Sequence, residues 1–239
     1  MSVAVVTGAN RGIGLELCKQ LKASGMSVIG ACRSTSPELD ALGITVVTGV
    51  DVSELSSINS LAAACEGKTI SALVNNAGIL TQEGLESLDY DAVRKQFEVN
   101  AIGPLAITNC LRPYLASGSK VLMVTSRMGS IGDNGSGGMY GYRMSKAALN
   151  AGAMSLAIDL KKVGVAVGIV HPGMVETGMT AGFGAKAGVG STIDTTTSAA
   201  GCLRSLIRWR LTCHSYAHPA RLHDRLPASL LILIPAAGS

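Results

Sequence analysis

A chain of 239 residues, 47% hydrophobic and only 15% charged, has the size and composition of one large α/β domain that buries a sheet on both faces. No run of about 18 apolar residues occurs, so no membrane span is expected. The start, Met1 to Val6, carries neither a basic lead-in nor an Arg/Ser-rich leader, and a cytoplasmic protein is expected. The net charge of +4 resides wholly in residues 201–239, where five arginines face one aspartate; the balanced remainder shows no basic stripe, which argues against a nucleic-acid partner.

Six cysteines are scattered without a CxxC pair and read as reduced thiols, most of them core filler. Cys213, His214 and His218 lie close together in a segment with no other organisation, and no metal site is expected.

Val3-Ala-Val-Val6 is a short continuous apolar run, the mark of a parallel strand buried on both sides. Thr7-Gly8-Ala-Asn10-Arg11-Gly12-Ile13-Gly14 follows, and then Leu15 to Leu21 with apolar residues at helical period. Strand, glycine-rich turn and helix together form the context for binding a dinucleotide. Glycines let the backbone approach a pyrophosphate, and the helix N–H groups and dipole favour its charge. The plainer alternative is a tight turn with no ligand. The spacing Gly-x-x-x-Gly-x-Gly resembles that of the short-chain dehydrogenase/reductase family, and the likeness extends along the chain through residues 3–178.

Ser27 to Cys32 reads as the second strand and ends at Arg33. Arg11 and Arg33 suit the 2′-phosphate of NADP, where a carboxylate would select NAD; either could also be an ordinary surface charge. NADP (NADPH) is therefore expected over NAD. Ile44 to Val50 reads as the third strand, closed by Asp51 and Val52. The resemblance gives Asp51 the adenine amino group, while a helix cap ahead of Glu54 is the alternative. Ile70 to Val74, the fourth strand, runs into Asn75-Asn-Ala77-Gly78, similar to the family element that steadies the sheet and lines the cofactor ribose.

Asp91 to Leu115 is expected to be helical, interrupted near Gly103-Pro104. Within it Asn100 resembles the family asparagine whose backbone holds a water linked to the catalytic lysine. Read alone, it would be a kink or capping residue. Lys120 to Thr125 reads as the fifth strand, with Ser126 at the carboxyl edge where open α/β sheets bind ligands. Ser126 and Gly129 match the family Ser-x-x-Gly pattern, in which the hydroxyl donates to the substrate oxygen. Ser126 lies 16 residues before Tyr142, further than is usual, and the loop Gly132 to Gly138 accounts for the excess. Ser130 has the commoner separation but the wrong place relative to the strand, so Ser126 is preferred.

Tyr142 and Lys146 lie one helical turn apart and share a face if a helix begins at Tyr142. An ammonium beside a phenol favours the phenolate and should lower its pKa from about 10, as an acid for carbonyl reduction requires. Such a pair alone is a weak signal, equally a solvated helix face. Tyr140 meets Met144 one turn on, which supplies no charge. Ala147, Ala148, Ala151, Met154 and Ile158 make apolar contacts possible along this helix, and the resemblance implies a homodimer or homotetramer packed through it. Val165 to Val170 reads as the sixth strand; the resemblance places Pro172, Gly173, Val175 and Thr177 around the nicotinamide. Thr180 to Thr197 has the Gly/Ala/Thr content of a mobile substrate loop.

These readings give one doubly wound (Rossmann) α/β domain over residues 1–205, closest to C-factor-like or sniffer-like carbonyl reductases. The activity implied is NADPH-dependent reduction of a ketone or aldehyde, with Tyr142, Lys146, Ser126 and Asn100 as the working residues. The alternative is a nucleotide-binding signalling or redox-sensing protein with little turnover. Residues 206–239 depart from the family. Leu230 to Ile234 suits an edge strand, while the Arg/His/Pro-rich stretch before it is either divergent folded sequence or the product of an altered frame or retained intron.

Overall fold

The computed structural model describes residues 2–175, 177–179, 192–208 and 231–234. Seven strands form one sheet in the order β3-β2-β1-β4-β5-β6-β7. They are β1 (Val3–Thr7), β2 (Ser27–Ala31), β3 (Thr45–Val47), β4 (Ile70–Asn75), β5 (Leu115–Val124), β6 (Ala166–Val170) and β7 (Leu231–Ile234). The first six are parallel, and β7 closes one edge antiparallel to β6, with Val167 opposite Ile234. The chain reverses its winding between β1 and β4, which opens the crevice typical of doubly wound sheets at their carboxyl edge.

Alternation along β1 explains why it is apolar throughout. Val3 and Val5 face one core with α3 (Leu55–Ala64), α5 (Gly103–Leu111) and α6 (Tyr140–Lys161). Ala4 and Val6 face a second core with α1 (Gly12–Ala23) and α7 (Thr195–Arg208). The short α2 (Pro37–Asp40) is capped by Ser36, whose hydroxyl accepts from Leu39 N.

The helical stretch after residue 90 divides as α4 (Tyr90–Phe97), a π-helical turn (Glu98–Ile102) and α5. The sequence predicts a break near Gly103-Pro104, and the π-helical turn lies immediately before them for a reason Pro104 supplies. Proline has no N–H to return to the carbonyl four residues back, here that of Asn100, and the helix widens there. α6 begins at Tyr140, so Tyr142 sits inside its first turn and does not open it. α7 starts at Thr195, within the stretch expected as loop; residues 180–191 lie outside the described residues. The same holds for Cys213, His214 and His218. Among the described residues no helix is long and apolar enough to cross a membrane.

Candidate active site

The carboxyl ends of β1, β4, β5 and β6 carry the candidate residues. Tyr142 and Lys146 project from α6, both buried, with the Lys146 ammonium 5.8 Å from the Tyr142 ring centre. Ser126 follows β5, where its hydroxyl accepts from Met128 N at 3.2 Å and lies near enough to the Tyr142 phenol to act on its acidity. Ser130 is exposed, and its hydroxyl accepts only from Asp133 N in a local turn. Gly129 explains how Ser126 comes so close: a Cβ there would stand 2.8 Å from the Lys146 carbonyl carbon. The Thr125 hydroxyl and Asn150 Oδ1, 2.6 Å apart, tie the strand end to the same helix.

Asn100 is fully buried in the π-helical turn. Its Oδ1 accepts from Ile79 N at 2.8 Å, and its Nδ2 donates to Ile79 O at 2.9 Å and to Ser145 Oγ at 3.0 Å. Ser145 in turn donates to the Tyr142 carbonyl at 2.9 Å. Gly78 lies between the two halves, its absent Cβ 3.2 Å from Asn100 Oδ1 and 3.7 Å from Lys146 Nζ.

The electrostatics differ from the sequence expectation. Burial raises the Tyr142 phenol above its ordinary value, and what opposes the rise is the neighbouring Ser126 hydroxyl. Lys146 does not acidify it in this arrangement; its ammonium donates to Val124 O at 2.9 Å, and burial pushes its own pKa down to about 8. Desolvation is the dominant influence on both groups. Burial, aided by the Arg127 charge and opposed by Asp133, likewise lowers His171 to about 4, and its Nδ1 has no hydrogen-bond partner among the described residues.

The glycine-rich turn is built for close approach. Gly8 and Gly12 have φ of 66° and 56°, and a Cβ at Gly14 would stand 2.1 Å from Gly8 O. Asn10 O accepts from Ser36 Oγ, and Ile13 packs on the core beneath α1. Asn76, which the sequence reading passed over, clamps this turn. Its Nδ2 donates to Thr7 O and Gly8 O, while Asn76 N and Ala77 N both donate to Thr7 Oγ1. Asn75 Nδ2 donates to Thr108 Oγ1, and Asn75 Oδ1 is buried without a partner among the described residues. Thr177 approaches Gly12, with its Cγ2 3.5 Å from where a Cβ would be. Val175 bridges Ile193, Pro172 O accepts from Ser198 Oγ, and Gly173 takes φ 89°.

Arg11 and Arg33 are exposed beside this turn. Asp51 Oδ1 accepts from Ser53 N and Ser53 Oγ at 2.9 and 2.6 Å, so its carboxylate closes a turn; the N-cap position of α3 belongs to Glu54, whose side chain makes no capping hydrogen bond. Burial would raise Asp51, but the Ser53 hydrogen bonds and the charges of Lys95 and Arg33 hold it below the usual carboxylate range. Val52 is buried and packs against Gly103, where a Cβ would meet Val52 O at 2.8 Å.

The turn, the flanking arginines and the orphaned polar atom at the strand ends fit a dinucleotide, with the phenol–hydroxyl pair beside it fitting an alcohol or carbonyl. Residues 2–188 match the short chain dehydrogenase family. The chain belongs to that family, whose members are nicotinamide-dependent oxidoreductases acting on alcohol and carbonyl groups. It is 44% identical to 1-hydroxy-2-glutathionyl-2-methyl-3-butene dehydrogenase of Rhodococcus sp. (strain AD45), over 86% of this chain and 91% of the relative. It is 43% identical to C-signal of Myxococcus xanthus, over 48% of this chain and 70% of that one. Among solved structures, the NADPH-bound carbonyl reductase from chicken fatty liver superposes with a TM-score of 0.76 at 27% identity, covering 86% of this chain and 92% of that one.

Proposed function

We propose that this protein is an NADPH-dependent carbonyl reductase, reducing a ketone or aldehyde to an alcohol and running in reverse when product accumulates. The observation that carries the proposal is the buried Tyr142 with Ser126 beside it and Lys146 one turn along α6, at the sheet edge shared with the glycine-rich turn. When bound, the coenzyme supplies the hydride. Tyr142 gives a proton to the carbonyl oxygen, and Ser126 donates a hydrogen bond that polarises the same oxygen. Lys146 and Tyr142 hold ribose hydroxyls, and Asn100 orders the route by which Tyr142 is reprotonated. Gly8, Asn10, Gly12, Ile13 and Gly14 receive the pyrophosphate; Asn75, Ala77 and Gly78 line the ribose. Asp51 and Val52 flank the adenine, and Pro172, Gly173, Val175 and Thr177 the nicotinamide. Arg11 and Arg33 support NADP over NAD, since each offers a guanidinium to a 2′-phosphate.

A panel of ketones and aldehydes, scored by loss of NADPH absorbance and repeated with NADH, tests this. The name of the Rhodococcus relative specifies a glutathionyl-bearing alcohol, so glutathione-conjugated alcohols with NADP⁺ belong in the panel. Tyr142→Phe is expected to lose roughly 10³-fold in turnover while still binding NADPH; turnover within tenfold of the parent would remove the assignment. The identity with C-signal supports a second reading, a nucleotide-binding signalling protein, which predicts NADPH binding with no consumption across the whole panel.

Exposed Ile102, Leu105, Met154 and Ile158 on the α5–α6 side support a homo-oligomer. Five free cysteines among the described residues support a cytoplasmic location.

A further inference from the structure

The helix that carries Tyr142 and Lys146 has no cap of its own. Its N-cap residue is Met139, held at φ 52° in the left-handed region and offering no side-chain acceptor to the free N–H groups of the first turn. The acceptor comes from Glu83, 58 residues earlier, in the loop after β4. Glu83 Oε2 accepts from Gly141 N at 3.3 Å, and its main-chain oxygen accepts from Met139 N at 2.8 Å.

Glu83 is only 4% exposed, so its carboxylate has left water for these contacts. Its other oxygen, Oε1, accepts from Gln96 Nε2 at 2.6 Å and from the Thr81 hydroxyl. Gln96 is fully buried on α4, and its own Oε1 accepts from Thr81 N at 3.2 Å. One carboxylate thus joins α4, which runs directly into the π-helical turn bearing Asn100, to the first turn of α6. Gly141 permits the approach: a Cβ there would lie 2.2 Å from Gln96 Nε2 and 3.1 Å from Val93 Cα. An anion at this end is also favoured by the helix dipole.

We infer that Glu83 is a positioning residue for the reaction: it fixes the first turn of α6 against α4, and so sets where the Tyr142 hydroxyl stands relative to Ser126 and Asn100. Glu83 touches neither Tyr142 nor Ser126, so its effect passes through the helix end. The inference rests on the reductase reading for its kinetic consequence, but not for its structural one.

The test measures kinetics and amide exchange together. Glu83→Ala is expected to lower kcat about 30-fold, with NADPH affinity and carbonyl KM each within about threefold of the parent, because a misplaced acid slows chemistry without weakening binding. Exchange at the Gly141 amide is expected to quicken by about tenfold or more while the middle of α6 stays protected. Glu83→Gln keeps an oxygen for Gly141 N but turns its NH2 against the donor Gln96 Nε2, so it should recover kcat only in part, to a value between those of Glu83→Ala and the parent. Should Glu83→Ala not fold, Glu83→Asp carries the test: it keeps the charge but is one methylene too short to reach Gly141 and Gln96 together, and must show the same kcat loss. A kcat within twofold of the parent, a loss confined to KM, or unchanged Gly141 exchange overturns the inference. If the unaltered protein consumes no NADPH with any carbonyl, the reductase reading falls by itself, and exchange at Gly141 still decides whether Glu83 holds the helix end.

Discussion

Lys146 shows what the site demands of single residues. Its ammonium is 4% exposed, donates to one main-chain oxygen, and titrates near 8, against 10.5 for a free lysine. A difference of that size corresponds to about 3 kcal/mol of unfavourable burial. Below pH 8 both folded and unfolded chains carry the proton and the full penalty applies. Between 8 and 10.5 the unfolded chain binds more protons, so this group's contribution to stability improves as pH rises. Lys146→Met exchanges the buried charge for an apolar side chain of similar length and leaves the Val124 carbonyl short of one donor. Its melting temperature at pH 7 is expected at or above that of the parent, by up to a few degrees. The gap should shrink in paired melts at pH 7 and pH 10, where the parent escapes its penalty; a gap that widens with pH would contradict the assigned direction. The same desolvation explains why the sequence expectation for Tyr142 failed. The Tyr-x-x-x-Lys spacing fixes that the two side chains share a face, but not whether water reaches them, and burial decides the direction of the shift.

At the scale of elements, the turn between β1 and α1 depends on one absent side chain. A Cβ at Gly14 would meet Gly8 O at 2.1 Å and Asn76 Nδ2 at 2.6 Å, so α1 would have to leave the turn that Asn76 clamps. Gly14→Ala is expected to destabilise by about 3 kcal/mol and to abolish the rise in melting temperature on adding NADPH. Gly135→Ala, with nothing within 4 Å, should do neither. Denaturant melts with and without nucleotide check both, and a nucleotide-stabilised Gly14→Ala would show that the turn tolerates displacement. The glycine turn was legible in the sequence because strand, turn and helix are contiguous and each carries a local signature. The central parallel strands were legible for the same reason: burial on both faces leaves an apolar run, unbroken in Val3 to Val6 and interrupted only by Ser71 in Ile70 to Val74. Asn76 and Glu83 were not. Asn76 acts on Thr7 and Gly8, 69 and 68 residues away, and Glu83 on Gly141, 58 away, and no spacing within a window reports such pairings. A hint for Glu83 existed in Met139, a residue that cannot cap the helix it precedes and so requires an acceptor from elsewhere.

Across the whole molecule, the two faces of the sheet are unequal. α1 and α7 cover one face and α3, α5 and α6 the other, where the end of α4, the π-helical turn, α5 and α6 leave an apolar groove lined by Phe97, Leu105, Ala148, Gly152 and Leu156. Ile102 and Leu105, each 46% exposed, rise on its α5 side, and small residues on α6 let a second helix come near. A second copy meeting this groove about a twofold axis would bury the same residues on both chains, so one substitution acts twice. In Leu105→Glu two carboxylates would enter an apolar interface without partners, which is enough to separate the copies. Ser126, Tyr142, Lys146 and Asn100 all come from one chain, and none lines the groove. The separated chains are therefore expected to keep nucleotide binding, with a melting temperature that no longer rises with protein concentration. Sedimentation velocity over a hundredfold range of concentration decides it: the parent is expected to sediment as a dimer or tetramer, and Leu105→Glu as a monomer or, from a tetramer, as a dimer. A parent that is monomeric throughout, or a Leu105→Glu protein that sediments with it as an oligomer, removes the α5–α6 face as the site of assembly.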